Sequence, residues 1–207
     1  MVVLGLTGSI GMGKSTAARA FVKMGAALWD ADEAVHRALG PGGAAVNAVI
    51  AAFPSTRRDT PDGPSVDRRA LGQIVFKNEA ALRRLEAIVH PLVRREQRAF
   101  LAAARRSRKK LVVLDIPLLF KSSNRTRIDA SVVVSAPMRI QRTRVMKRAG
   151  MTAAKFDGIL RQQLADGEKR RRADFVVPTG LGKRDSLRAV RRIVKRVAPR
   201  RQDLGLD

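Results

Sequence analysis

Residues 2–16 read VVLGLTGSIGMGKST and carry the pattern that decides the fold. The apolar run at 2–6 is short and rich in β-branched residues, which predicts a buried parallel strand. Residues 8–15, here called the P-loop, match the pattern G-x-x-x-x-G-K-S, and helical periodicity begins at Ser15. A strand, a glycine-rich loop and a helix in this order predict a phosphate-binding site.

The residue types of the P-loop suit a nucleoside triphosphate. Glycines let successive backbone N–H groups converge on phosphate oxygens, and the helix N-terminus adds partial positive charge. We expect Lys14 to reach the β- and γ-phosphates, Ser15 to ligate Mg²⁺ and Thr16 to contact the α-phosphate. The glycine order G-x-x-G-x-G reverses the dinucleotide fingerprint and argues against dinucleotide binding. The predicted nucleotide-binding residues of this segment are Gly8, Gly11, Met12, Gly13, Lys14, Ser15 and Thr16.

Asp115 follows a second apolar run, at residues 111–114, which predicts a strand beside the first. A carboxylate at the C-terminal end of such a strand is expected to hold Mg²⁺, directly or through water. The alternative is an aspartate that caps the turn before Pro117. The P-loop favours the magnesium role, so the predicted metal ligands are Ser15 and Asp115.

Asp30 and Asp32 close a further short strand predicted at residues 26–29. In extended chain these two side chains point to the same side, where the carboxyl ends of parallel strands bind ligands. One of them is then a candidate general base for an acceptor hydroxyl. The alternative is that one caps the helix predicted around residues 34–39. We expect each aspartate to do one of these jobs, with Asp32 as the base.

Short apolar strands alternate with helical patterns along the rest of the chain. Further strands are predicted at 130–134 and 175–177, helices at 139–148 and 153–164, and an amphipathic helix from residue 187 to 197. This alternation predicts an α/β fold of three layers around a parallel five-stranded sheet.

Eighty residues separate Asp30 from Leu111, far more than a simple crossover between parallel strands needs. Helical patterns near 44–53, 68–76 and 80–104 fill this interval, and a segment rich in Pro, Gly and Asp at 54–64 separates the first two. The interval is therefore predicted to be an inserted helical domain.

Composition adds two constraints and one open alternative. The chain has no cysteine, which fits a reducing compartment, and no apolar run long enough to span a membrane, so we expect a soluble cytoplasmic protein. The net charge is +24, with 28 basic and 9 acidic residues after residue 104. Such an excess suggests nucleic-acid binding, but aromatic residues make up only 4% and tyrosine is absent, so stacking platforms are scarce. An Arg-rich composition with solvated helix faces is the simpler interpretation of the charge.

The motifs together resemble the dephospho-CoA kinase family over nearly the whole chain. The resemblance rests on GLTGSIGMGKST at 5–16, DADEAVH at 30–36, EAIVHPL at 86–92, DIPLLF at 115–120, QRTRVMKR at 141–148, and Gln163 followed by EKRRRADFVV at 168–177. It implies ATP-dependent, Mg²⁺-assisted phosphorylation of the ribose 3′-hydroxyl of dephospho-CoA, giving CoA and ADP. It also implies three parts: a P-loop kinase core at 1–32 and 111–200, an inserted helical acceptor domain at 33–110, and a mobile helical lid at about 138–165 within the core residues. We assign residues 201–207 to a tail.

The resemblance also implies roles for individual residues. Asp32 is the base on the acceptor hydroxyl, and Arg144 and Arg148 are lid arginines that reach the transferred phosphoryl group. The alternative for both arginines is a solvated helix face. His90 precedes Pro91 in the acceptor domain, and it is either a substrate contact or, as we favour, a core histidine at a helix break.

Two positions depart from the family pattern. Lys121 follows DIPLLF where the family usually has Glu, and Thr179 stands where an Asn is often expected near the adenine. A threonine hydroxyl can donate and accept, but without the paired geometry of an amide.

Two other functions stay open at this point: another P-loop nucleotide or nucleoside kinase, and a basic nucleic-acid-dependent ATPase. The motifs at 30–32 and 90–91 favour the kinase of dephospho-CoA, although spacing alone does not identify an acceptor. Oligomeric state is not predicted.

Overall fold

The structure, a computed structural model, describes residues 1–76, 78–120 and 127–197. Its strands are β1 (Val2–Thr7), β2 (Ala27–Asp30), β3 (Arg57–Thr60), β4 (Gly63–Val66), β5 (Leu111–Asp115), β6 (Ala130–Ser135) and β7 (Phe175–Pro178). Its helices are α1 (Lys14–Lys23), α2 (Ala31–Leu39), α3 (Val46–Ala52), α4 (Arg68–Val75), α5 (Glu79–Arg106), α6 (Met138–Met146), α7 (Ala153–Gln162), α8 (Asp166–Arg172) and α9 (Lys183–Val197), with a short 3₁₀ turn at Pro54–Thr56.

Five strands form one sheet in the order β2-β5-β1-β6-β7, with β1 at its centre. β1 runs parallel to β5 and β6, and β6 runs parallel to β7, which confirms the predicted parallel α/β sheet. Leu6 lies opposite Asp115 in this register, so β1 and β5 end side by side. The P-loop and Asp115 therefore leave the sheet at the same edge.

Both faces of the sheet are covered, as the burial of its strands shows. Leu4, Leu6, Val113, Val132 and Val134 are buried on one face against α1 and α9. Their neighbours in the strands, among them Val112, Leu114 and Val133, are buried as well. Near-continuous burial along a strand requires cover on both sides, which gives the three layers predicted.

The chain divides into two compact units, Met1–Trp29 with Ala104–Asp207, and Asp30–Ala103. The second unit has its own apolar core, which includes Leu39, Val49, Phe53 and Leu71. It is not wholly helical as the prediction had it, because the segment predicted to separate two helices contains the antiparallel hairpin β3–β4. The hairpin strand β3 is mostly exposed and polar, so it lacks the apolar alternation by which strands are recognised.

Two further elements differ from expectation. The seven-residue helix α8 (DGEKRRR) was not predicted, since it has no apolar period. The helix predicted at 80–104 is confirmed as α5, but it runs unbroken for 28 residues through Pro91, where a break was favoured. No helix in the described ranges is both long and apolar enough to span a lipid bilayer.

Candidate active site

The P-loop joins β1 to α1 through two glycines with positive φ, Gly11 at +74° and Gly13 at +84°. A Cβ on Gly11 would come within 2.5 Å of Val145 Cγ2, and one on Gly8 would overlap Val134. Both the backbone conformation and the close packing therefore require glycine. Gly13 is the N-cap of α1 and offers no side-chain cap, so the first backbone N–H groups of the helix are oriented to bind an anion.

Lys14 and Asp115 form an ion pair within this unit. The Lys14 side chain is 19% exposed and that of Asp115 only 3%, so a partly exposed cation is paired with a buried carboxylate. The two residues were predicted separately, as a phosphate contact and a metal ligand, and are 101 positions apart in the chain. The parallel pairing of β1 with β5 brings them together.

Two glutamines hold the tip of the P-loop at Ile10. Gln141 on α6 donates from Nε2 to the Ile10 carbonyl at 2.7 Å, and the Ile10 N–H donates to Gln163 Oε1 at 3.3 Å. Gln141 is 1% exposed, so its bond is shielded from water. Neither residue was predicted to have a role, because a buried glutamine inside a basic helix has the same sequence pattern as any other polar position of that helix.

Arg144 and Thr179 hold the next two residues of the P-loop. Arg144 donates to the Thr179 carbonyl at 2.6 Å, to the Thr179 hydroxyl at 3.2 Å and to the Gly11 carbonyl at 3.4 Å. The Thr179 hydroxyl in turn donates to the Met12 carbonyl at 2.6 Å, and Thr179 is 4% exposed. The structure thus brings both predicted residues to the P-loop, where the hydroxyl expected near an adenine bonds to a loop carbonyl.

A second cation that the sequence did not single out also contacts the P-loop. Lys169 on α8 donates from Nζ to Ser9 Oγ at 2.7 Å and is buried. Burial lowers the pKa of the Lys169 ammonium, and the nearby Asp166 carboxylate opposes that shift. The residue lies in a run of basic residues, so no local pattern distinguishes it from its solvated neighbours.

The remaining predicted residues have different surroundings. Ser15 and Arg148 are exposed, the first in the opening turn of α1 and the second just beyond the end of α6. Thr16 is partly buried. Lys121 lies outside the described residues.

Asp30 and Asp32 belong to the second unit, and one of the two roles predicted for them, the helix cap, is confirmed. Asp30 caps α2: its carboxylate accepts from the backbone N–H of Asp32 at 2.9 Å and of Glu33 at 3.1 Å. Asp32 is exposed and lies in the first turn of that helix, so the expectation of two aspartates on one side of an extended strand was wrong. The reason is that the cap at Asp30 already begins the helix.

His90 is exposed on the continuous helix α5. The favoured interpretation, a core histidine at a helix break, was therefore wrong on both counts. The neighbouring Pro91 does not end the helix, because the flanking residues pack into the core of the second unit.

Comparison with known proteins agrees with this arrangement. The family model described as dephospho-CoA kinase matches residues 2–182. A dephospho-CoA kinase of Rhodospirillum rubrum is 52% identical over 92% of this chain and 89% of its own length. A Thermus thermophilus protein of solved structure is 32% identical, with a TM-score of 0.78 over 94% of this chain and 96% of its own.

The fold has a more distant counterpart in a dephospho-CoA kinase from Campylobacter jejuni. Its TM-score is 0.63 at 22% identity, over 95% of this chain and 97% of its own. At that identity the likeness concerns the fold alone. The family model covers the P-loop and Asp115, the identity to the Rhodospirillum enzyme extends over most of the chain, and on these grounds the chain belongs to the dephospho-CoA kinase family.

Proposed function

We propose that this kinase transfers the γ-phosphoryl group of ATP to the ribose 3′-hydroxyl of dephospho-CoA with the residues described here. The ion pair between Lys14 and Asp115, at the adjacent ends of β1 and β5, is the observation that carries the proposal. It puts a cation in the P-loop and a buried carboxylate in contact with it. Phosphoryl transfer depends chiefly on positioning and on charge stabilisation, and these two groups supply both.

In the proposed step the acceptor oxygen forms a bond to the γ-phosphorus while the bond from that phosphorus to the β,γ-bridging oxygen breaks. Asp32 takes the proton of the 3′-hydroxyl, and ADP leaves with the bridging oxygen. Lys14 and the backbone N–H groups of the P-loop balance the charge on the phosphates. The role of Asp32 comes from the family resemblance of the motif at 30–32, and His90 is carried over in the same way as a candidate acceptor contact.

Magnesium fits the oxygen donors at this site. Asp115 offers a carboxylate and Ser15 a hydroxyl, both hard ligands of the kind Mg²⁺ prefers. In the described part of the chain no cluster of three or more His, Cys, Asp or Glu residues forms a metal cage of its own. A metal held by one carboxylate, one hydroxyl and the nucleotide phosphates is the arrangement typical of P-loop enzymes, where the ion neutralises charge on the phosphates.

The two arginines receive different roles in the proposal. Arg144 is anchored on Gly11 and Thr179, so we assign it to shaping the nucleotide site and to adding positive charge beside the phosphates. Arg148 is exposed, and we assign it to the transferred phosphoryl group, where it would replace water as the lid segment at 138–165 covers the site.

The acceptor is tested by measuring ADP release from MgATP with dephospho-CoA, nucleosides, nucleotides or single-stranded DNA. We expect stimulation by dephospho-CoA, with CoA formed in equal amount to ADP. Stimulation by a nucleoside or by DNA instead would replace the proposal with one of the two alternative functions.

The roles are tested by two substitutions with matched controls. Asp32→Asn is expected to lose most of kcat while ATP still binds, whereas Glu33→Gln, one residue along the same exposed turn, keeps it. Lys14→Ala is expected to reduce phosphoryl transfer strongly, and Lys23→Ala at the other end of α1 to leave it unchanged. Normal turnover by Asp32→Asn would remove this residue as the base.

A further inference from the structure

Lys169 is an unusual residue in a chain this basic. Among the described residues it is the only Lys or Arg that is buried, at 5% exposure, and its ammonium contacts the P-loop at Ser9. Removing an ammonium from water costs several kcal/mol unless other groups compensate. A side chain kept at such a cost has a use that an apolar residue of the same length does not serve.

Compensation comes from Asp166, three residues earlier on α8. One oxygen of this carboxylate accepts the hydroxyl of Ser135, at the end of β6, at 2.7 Å. The other oxygen is buried and has no hydrogen-bond partner among the described residues. The carboxylate is thus fixed to the sheet and close enough to Lys169 to favour its charged form.

Two hydrogen bonds and one charge effect link the sheet to the P-loop. Ser135 holds Asp166, the Asp166 carboxylate acts on Lys169 through its charge, and Lys169 holds Ser9, which is itself buried. Ser9 is the second residue of the P-loop and precedes Ile10, which the two glutamines fix. Lys169 therefore adds a second fixed positive charge to the P-loop, at buried Ser9, beside that of Lys14.

We propose that Lys169 is a positioning residue of the nucleotide site, which orients the P-loop through Ser9 and strengthens its attraction for the phosphates of ATP. The proposal rests on the proposed function only in that the P-loop binds ATP. It makes no use of the acceptor, so nucleotide binding tests it alone. A charged hydrogen bond of this kind is worth more than a neutral one, and its loss is expected to weaken ATP binding about tenfold.

The test compares three variants with the wild type. Lys169→Met keeps the length of the side chain and removes its charge. The double variant Asp166→Asn/Lys169→Met also removes the carboxylate that the single variant leaves without its cation. Arg170→Met is the matched control, because it makes the same change of charge at the adjacent, exposed position of α8. Calorimetry gives the Kd of a non-hydrolysable ATP analogue with Mg²⁺ for each variant, and thermal unfolding gives its midpoint.

We expect the Kd of the analogue to rise about tenfold in Lys169→Met and in the double variant, and to change less than twofold in Arg170→Met. The KM for dephospho-CoA should change less than twofold in all three. The unfolding midpoint of the double variant should be no lower than that of the wild type, since both charged groups are replaced by neutral ones and the cost of burying the Lys169 ammonium is removed. A purely structural lysine would instead lower the midpoint and raise both constants together.

The proposal is overturned if the double variant binds the analogue as the wild type does, or if Arg170→Met weakens binding equally. If Lys169→Met does not fold, the Kd of the double variant is compared with that of the wild type instead. A wild-type protein that binds the analogue but does not phosphorylate dephospho-CoA would refute the proposed function, and the effect of Lys169 on the Kd would still be measured.

Discussion

The hydroxyl of Thr179 offers a direct test of how the P-loop is held, through the substitution Thr179→Val. Valine has nearly the shape of threonine, so no cavity forms, but the Met12 carbonyl loses the donor at 2.6 Å and Arg144 loses one of its three acceptors. Arg144 keeps the Thr179 carbonyl. A buried acceptor left without its donor costs about 1–3 kcal/mol, and we expect the free energy of unfolding to fall by that amount.

Urea denaturation measures this loss, and steady-state kinetics measure its consequence at the site. We expect the KM for ATP to rise, because the Met12 carbonyl lies in the P-loop, and the KM for dephospho-CoA to stay within twofold. Thr143→Val is the matched control: that hydroxyl is exposed and bonds to the Arg139 carbonyl in its own helix, so its loss should cost no more than about 0.5 kcal/mol. The reasoning fails if Thr179→Val is no more destabilising than Thr143→Val and the KM for ATP is unchanged.

Three further substitutions probe the fold. Pro91→Ala should raise the free energy of unfolding, by up to about 3 kcal/mol, since proline inside a helix removes a hydrogen bond; a lower thermal midpoint would contradict this. Asp30→Ala should lower the free energy of unfolding by about 1 kcal/mol, because the α2 cap is lost. Asp30→Asn should keep most of that free energy in urea denaturation. Bonds from the Ser131 hydroxyl and N–H hold the pKa of Asp174 below its ordinary value, so the stability it contributes is present above that ordinary value and is lost as the pH falls through the lowered one. The stability difference between wild type and Asp174→Asn should therefore be constant from about pH 7 to 5 and shrink towards pH 3, and a difference that grows on acidification would refute this.

The second unit shows where prediction from sequence stops. Its helices were predicted because their apolar residues recur at helical spacing and fill the core around Val49 and Leu71. The hairpin β3–β4 was missed because one of its strands turns polar side chains to water, and a polar segment with Pro and Gly has the composition of a loop. Pro91 predicted a helix break that packing overrode.

The nucleotide site divides in the same way. The P-loop was predictable because its function depends on consecutive residues. Glycine at positions 11 and 13 permits the backbone conformation that these residues need. The residues that hold the P-loop could not be predicted, because they lie far from it along the chain. Lys169 is 160 positions from Ser9, and nothing in its neighbourhood in the sequence predicts burial.

The sequence by itself thus determined the local chemistry of this protein: a strand, a phosphate loop and a helix, followed by the motifs of a dephospho-CoA kinase. Local features follow from neighbouring residues, because dihedral preferences and side-chain periodicity act over a few positions. Only the tertiary structure decided that Asp115 pairs with Lys14 and that the Thr179 hydroxyl bonds to the P-loop. It also decided that one lysine of a basic run, Lys169, is buried against that loop. These pairings depend on strand register and on which helix covers which edge of the sheet, and the packing of the whole unit sets both.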